Sequence, residues 1–293
     1  MQTKITRFTA LADEVFPEDP KLERICEGYS FSEGPVWDVR EECLYFTDFP
    51  NLSIYKWSEK KGAAAYREDS NRAIGLTMDS GGRLIAAESA SRCIAYTNGQ
   101  KSRPIIDKYG EAALNSPNDV IIAKNGDILF TDPYSAMLNM PREITYNGVF
   151  RATPHGQCSL LYSEMGWPNG IAFSPDESVL YVNDTDQMHI LSFEVKADGS
   201  VGLPEIFAVL DKSYGPGAPD GMKVDTRGNV YVTGPGGVWV IEPDGAPAAI
   251  LHSPEFVGNL CFGGADGKTL YLTASSSVYR TSVNIQGIMP HCE

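Results

Sequence analysis

Short apolar runs recur along the whole chain, each introduced by a tight turn: CLYFTD (43–48), RLIAAE (83–88), DILFTD (127–132), VLYVND (179–184), NVYVTG (229–234) and TLYLTA (269–274). Their length, their β-branched and aromatic content and the Gly, Asp and Asn around them predict strands rather than helices. The first apolar residues (Leu44, Leu84, Ile128, Leu180, Val230, Leu270) are separated by 40, 44, 52, 50 and 40 residues. A period of about 40 to 50 residues holding several strands is the signature of a β-propeller blade.

Each unit supplies four strands. Across a turn such as DSGGR, KNGD, SPDES or DTRGN lies an upstream apolar strand: GPVWD, GLTMD, DVIIA, GIAFS, GMKVD or NLCFG. Downstream comes a third (SIYKW, CIAYT, GVFRAT, HILSF, VWVIE, VYRTS) and then a fourth (AAAYRE, RPIIDK, SLLYSE, EIFAVL, AAILHS). The sixth unit has no fourth strand of its own, and LERICEG (22–28) has no earlier strand to pair with. The pattern therefore predicts an all-β, six-bladed β-propeller with four-stranded blades, its ring closed by the N-terminal strand in the last blade, which removes an exposed sheet edge. Residues 1–293 are read as a single propeller domain with 1–20 as an N-terminal extension, and no long helix is expected.

The register makes a chemical prediction. Ten or eleven positions before each of those six apolar residues stand Glu33, Ile74, Asn118, Asn169, Asp220 and Asn259. These begin the innermost strands, so they converge at one end of the central channel, and the ends of the second strands bring Asp48, Glu88, Asp132 and Asp184 near the same mouth. Singly, the Asn and Asp of SPND, WPNG and APDG are ordinary turn residues. Four acids and amides in one register around a narrow axis repel or stay unsatisfied unless a cation sits between them. Oxygen donors of this kind suit calcium, magnesium or manganese. Ile74 and Asn259 are left outside the set.

Charge and composition narrow the partners. A formal net charge of −14, with no Lys/Arg cluster, disfavours nucleic acid and anionic membrane. No stretch reaches the roughly 20 apolar residues of a membrane span. Acidic residues interrupt MQTKITRFTALADEVFPEDP where a signal core would lie, so a chain starting near Met1 in a cytoplasmic compartment is expected. The six cysteines (26, 43, 93, 158, 261, 292) form no C-x-x-C pair, His155, His252 and His291 have no metal-type spacing, and His189 is placed on a loop at the channel face and read as a surface or packing residue ahead of a proton-transfer role. GGADGKT (263–269) is one residue short of a phosphate loop, and no G-x-S-x-G elbow is present.

SEGPVWD, LNSPNDV, FTDP, WPNGIAFSPDESVLYVND and PDGMKVD together resemble the family joining senescence marker protein, gluconolactonases and luciferin-regenerating enzyme. The resemblance spans nearly the whole chain. It implies one divalent cation held by Glu33, Asn169 and Asp220, with Asn118 as a fourth metal contact or a substrate contact. Calcium is the first expectation, with zinc, magnesium, manganese and iron(II) as alternatives. It also implies hydrolysis of a small lactone, with Asp220 as general base or water-orienting group. Where animal sugar lactonases carry a sugar-binding Arg, this chain has Ser116.

Ser116, Trp167, Tyr134 and Asn118 are the expected substrate contacts. Loops at the same face carry Tyr29, Phe31, Tyr109, Tyr214 and Phe256, and the 133–147 insertion, with Met137, Met140 and Arg142, is a candidate lid. A phosphotriesterase or other ester hydrolase, and a non-catalytic ligand-binding propeller, stand as alternative readings. A monomer or small homo-oligomer is expected.

Overall fold

The computed structural model describes residues 3–290; Cys292 and His291 lie outside them. Six antiparallel sheets stand around an axis as a six-bladed β-propeller. Blade one comprises Ser32–Asp38, Cys43–Asp48, Ser53–Ser58 and Gly62–Arg67, and blade two Ala73–Met78, Leu84–Glu88, Cys93–Asn98 and Lys101–Ile106. Blade three is Val120–Ile122, Ile128–Asp132, Gly148–Ala152 and Cys158–Tyr162; blade four is Pro168–Phe173, Val179–Asp184, His189–Glu194 and Glu205–Val209. Blade five uses Met222–Val224, Val230–Gly234, Gly237–Ile241 and Pro247–His252. Blade six takes Val257–Gly263, Thr269–Ala274 and Ser277–Ser282 from the C-terminal part and Glu23–Glu27 from the N-terminal part.

The second strand of every blade is buried along nearly its whole length because both of its faces meet neighbouring blades. Apolar packing accordingly divides into clusters between adjacent blades. Val36, Tyr45 and Ile54 pack against Leu76 and Met78 between blades one and two. Ile85 and Ile94 pack against Phe130 and Phe150 between two and three, and Trp37, Phe46 and Trp57 against Tyr271 and Val278 across the closing seam. The hydrophobic effect thus holds the blades to one another and leaves the axis free for polar groups.

The N-terminal segment is built into the ring. Glu23–Glu27 pairs antiparallel with Ser277–Ser282, Glu23 opposite Arg280, as the missing fourth strand required. Ile5–Arg7 adds a fifth strand to blade five through Ala249, Ile250 and Leu251. Leu11–Val15 forms one short helix with no side-chain cap. Ala12, Val15 and Phe16 are buried in the cluster between blades five and six, so packing rather than propensity holds that turn. Among the described residues no helix is long and apolar enough to cross a membrane.

Candidate metal centre

Close approach of the six innermost strands is what brings distant residues to the axis. In four of the six register positions the residue is followed by glycine: Gly34, Gly75, Gly170 and Gly221. Gly34 has φ +47°, and a Cβ there would lie 1.8 Å from the carbonyl oxygen of Ile74 in the next blade. At Gly170 the Cβ would lie 2.1 Å from the Asp220 carbonyl oxygen. Backbone bonds then stitch one blade to the next: Gly75 N donates to Asn118 O at 2.8 Å and Gly170 N to Asp220 O at 3.1 Å. Thr131 Oγ1 donates to Asn169 O at 2.8 Å, and Asn183 Nδ2 to Asp220 O at 2.5 Å.

Glu33, Asn118, Asn169 and Asp220 consequently line one cavity of about 340 Å³, together with Ile74. Glu33 and Asn169 are buried; Asn118 and Asp220 are partly exposed to the cavity. Glu33 Oε2 accepts from Gly34 N at 2.9 Å, while Oε1 has no hydrogen-bond partner. Asn169 Nδ2 donates to Thr185 Oγ1 at 3.1 Å, and that anchor leaves Oδ1 buried and likewise without a partner. Two orphaned buried acceptors in one site are costly unless a positive group completes them.

The electrostatics agree. Burial pushes the Glu33 carboxyl up to about 7, opposed by the Gly34 bond and by Asn259. Asp220 is pushed well above the ordinary carboxylate range by burial and by the charges of Glu33 and Asp119. A divalent cation between the two acids favours their ionised forms and completes both orphaned oxygens, so the residues present fit a hard cation. Asn259, omitted from the predicted set, opposes the rise of the Glu33 carboxyl from the sixth register position.

Sequence reasoning missed an ion pair on the axis. Asp119 is buried with Oδ2 4.0 Å from Lys223 Nζ, and Lys223 also donates to Met222 O at 2.9 Å. Burial raises the Asp119 carboxyl and Lys223 opposes that rise. Lys223 is the one cationic residue within the six innermost strands, which was the available signal. Beyond it, at the other end of the channel, a larger cavity of about 570 Å³ is walled mainly by apolar strand ends and residues 286–290. It lacks a converging set of oxygen donors, so the smaller cavity is the candidate site.

The acids at the second-strand ends do something other than face the channel. Asp48, Glu88, Asp132 and Asp184 are buried and outside the cavity lining. Asp48 accepts from Ser30 N and Phe31 N, Asp132 from Asn115 N, and Asp184 from Gly166 N and Trp167 N, all at 2.7–3.1 Å. Glu88 accepts from Asn71 Nδ2 at 2.7 Å and is paired with buried Arg67 at 2.6 Å. Each therefore braces the loop leading into its own innermost strand.

Of the expected substrate contacts, Trp167, Ser116 and Asn118 line the cavity. The Ser116 hydroxyl is engaged, donating to Pro133 O at 2.5 Å and accepting from Ser135 N at 3.0 Å. Tyr134 is not brought in: its hydroxyl donates to Met140 O at 3.0 Å and its ring lies under Arg142. Phe31 and Phe256 form walls, whereas Tyr29 packs on Phe46, Tyr109 on Phe150 and Tyr214 on Trp239. From the 133–147 insertion, Pro133, Ser135, Met137 and Leu138 reach the cavity edge. His189 lies in a blade-four strand away from it. Asp38, Glu41 and Cys43 also bring ligand-type atoms together. There Asp38 Oδ1 accepts from Arg40 N and Glu41 N, and Glu41 pairs with Lys56, so turn bonding accounts for the group.

A family model described as "SMP-30/Gluconolactonase/LRE-like region" matches residues 31–276. A gluconolactonase of Zymomonas mobilis is 30% identical over 311 aligned positions, covering 97% of this chain and 87% of that protein. A pentonolactonase of Haloferax volcanii is 27% identical over 83% of this chain and 81% of its own length. The solved structure of a gluconolactonase from Xanthomonas campestris superposes with a TM-score of 0.88 at 27% identity, covering 97% of this chain and 95% of that one.

Proposed function

We propose that this chain, which belongs to the SMP-30/gluconolactonase/LRE-like family, is a divalent-cation-dependent hydrolase that opens a small lactone ring. The observation that carries the reading is the pair of buried, unpartnered oxygens, Glu33 Oε1 and Asn169 Oδ1, beside Asp220 and Asn118 on the floor of one cavity. Relatives named as lactonases supply the reaction class.

Glu33, Asn169 and Asp220 are assigned to hold the cation, with Asn118 beside them at the substrate side; calcium suits an all-oxygen set of this kind. A cation held there supplies Lewis-acid polarisation of the ester carbonyl and lowers the pKa of water. Asp220, whose carboxyl is tuned upward by burial, takes the proton of the attacking water. The water oxygen bonds to the acyl carbon, the acyl carbon to ring-oxygen bond breaks, and the ring oxygen leaves as a hydroxyl after protonation. The product is an open-chain hydroxycarboxylate plus one proton. Trp167, Phe31 and Phe256 give flat apolar walls that suit the C–H face of a sugar-like ring and exclude water. Ser116 shapes the base of the 133–147 segment through its two bonds rather than offering a free hydroxyl.

The test is a pH-stat assay over a lactone panel, using chelator-treated protein before and after reloading with calcium. Asp220→Asn should keep its fold and lose roughly 10²- to 10⁴-fold in kcat, the range for loss of a general base. Undiminished turnover by the loaded variant removes Asp220 from the chemistry, and a loaded wild type inert on every lactone removes the function.

A further inference from the structure

The cavity has a second ring of side chains, two residues ahead of Glu33, Ile74, Asn118 and Asn169 in the shared register. In that register stand Phe31, Arg72, Ser116 and Trp167, one from each of blades one to four, and all four line the cavity. Arg72 is the only cation in the lining. Its guanidinium makes no ion pair or hydrogen bond with any described side chain or backbone group; it rests 5.4 Å from the centre of the Phe49 ring, itself a wall residue.

The backbone holds Arg72 in place against its preference. Asp69, Asn71 and Arg72 have φ of 56°, 54° and 58°, the left-handed region that side-chain-bearing residues avoid, and such outliers cluster at functional sites. The conformation is pinned from below: Ser89 N and Oγ donate to Arg72 O at 3.3 and 3.1 Å, and Ala90 N donates to Asn71 O at 3.0 Å. Asn71 Nδ2 is tied to Glu88, which is fixed by Arg67 and by Ser91 and Ser102. A buried polar network therefore fixes the backbone from which one unpaired guanidinium reaches the cavity, where it rests against the Phe49 ring. The floor itself is near neutral once two carboxylates meet a divalent ion, so the charge of Arg72 has no counterpart within the cavity.

We propose that Arg72 is the specificity-determining residue of this site and that the substrate is a lactone carrying an anionic substituent, a carboxylate or its equivalent, remote from the ester. The planar fork donates two parallel hydrogen bonds to such a group, while the apolar walls take the ring between. The inference rests on the lactone-hydrolase reading for the ring, and only the exocyclic charge is added here.

Two lactones that differ at one carbon test it: D-glucono-1,4-lactone, with a neutral hydroxymethyl, and D-glucaro-1,4-lactone, with a carboxylate in its place. The calcium-loaded wild type should favour the carboxylate form. Arg72→Gln should lower kcat/KM for that form by roughly 10- to 100-fold, the size expected for loss of hydrogen bonds to a charged group, mainly through KM, and change the neutral form by less than about threefold. Arg72→Lys should restore part of the preference, and an unchanged unfolding midpoint in both variants separates recognition from folding. Calorimetry with methyl β-D-glucuronide against methyl β-D-glucoside reads the same preference without turnover, so a failure of the hydrolase reading leaves this one measurable. Equal affinity of the wild type for the two glycosides, or equal losses on both lactones in Arg72→Gln, overturns the proposal.

Discussion

Burial raises the carboxyls of Glu33 and Asp132 in two different settings. Glu33 stands among unpartnered oxygens and is suited to a cation. Glu33→Gln keeps the shape and removes the charge, and should weaken calcium binding by no less than about 100-fold, the upper end seen for outer-shell partners of a metal. Calorimetric titration of chelator-treated protein measures this; full affinity in the variant would take Glu33 out of the cage. Asp132 also has one unpartnered oxygen but lies outside the cavity lining and braces a loop instead. Burial pushes its carboxyl up to about 7, and it accepts from Asn115 N. Because the folded chain holds that proton more tightly than the unfolded chain, its contribution to stability is complete below the ordinary Asp range and is lost as pH rises through about 7. In calcium-saturated protein, Asp132→Asn should reduce the stability difference between about pH 4 and about pH 8 by ~2–4 kcal/mol. Urea unfolding across that range decides it, and an unaltered slope would count against the assignment.

At the scale of strands and loops, the close approach of neighbouring innermost strands is the device on which the centre depends. Gly170→Ala forces a methyl against the Asp220 carbonyl oxygen and should cost about 1–3 kcal/mol while lowering calcium affinity. Gly202→Ala, where the methyl meets Glu194 only at ordinary contact distance, is the control expected to leave both unchanged. Parallel losses in the two variants would mean that close packing at the axis is not the cause. The strands themselves were legible because each is apolar, bounded by turns and repeated at blade spacing, and the oxygen donors were legible because they share one register. The second-strand acids were only half legible. Asp48 and Asp184 sit where expected, yet a strand-end carboxylate can face the axis or turn back to its own loop, and the choice rests on backbone N–H groups whose positions the sequence does not carry. Lys223 was hidden for a related reason, since one Lys in MKVD looks like ordinary alternation until the strand is known to line a channel. Tyr134 was misplaced because the hydroxyl of a loop tyrosine finds a carbonyl within its own loop.

For the molecule as a whole, stability resides in packing between blades and not in a single central core. The N-terminal turn contributes to it: Phe16 is 1% exposed in the cluster shared by blades five and six. Phe16→Ala should cost about 3–5 kcal/mol, measured by urea unfolding, without changing calcium affinity, because Phe16 lies outside the cavity lining. A loss below about 1 kcal/mol would show that residues before the first blade merely rest on the ring.

The strand that closes the ring also sets an order of events during synthesis. Glu23–Glu27 is made before the first blade, but its partner Ser277–Ser282 is made only after the other five blades. At roughly 5–20 residues per second the strand waits for tens of seconds with an unpaired edge. Its Glu23, Arg24 and Glu27 are exposed in the finished protein, and charges at such positions discourage edge-to-edge association during the wait. Glu33, Asn118, Asn169 and Asp220 come from blades one, three, four and five, so the cavity floor is complete only after most of the ring has been made.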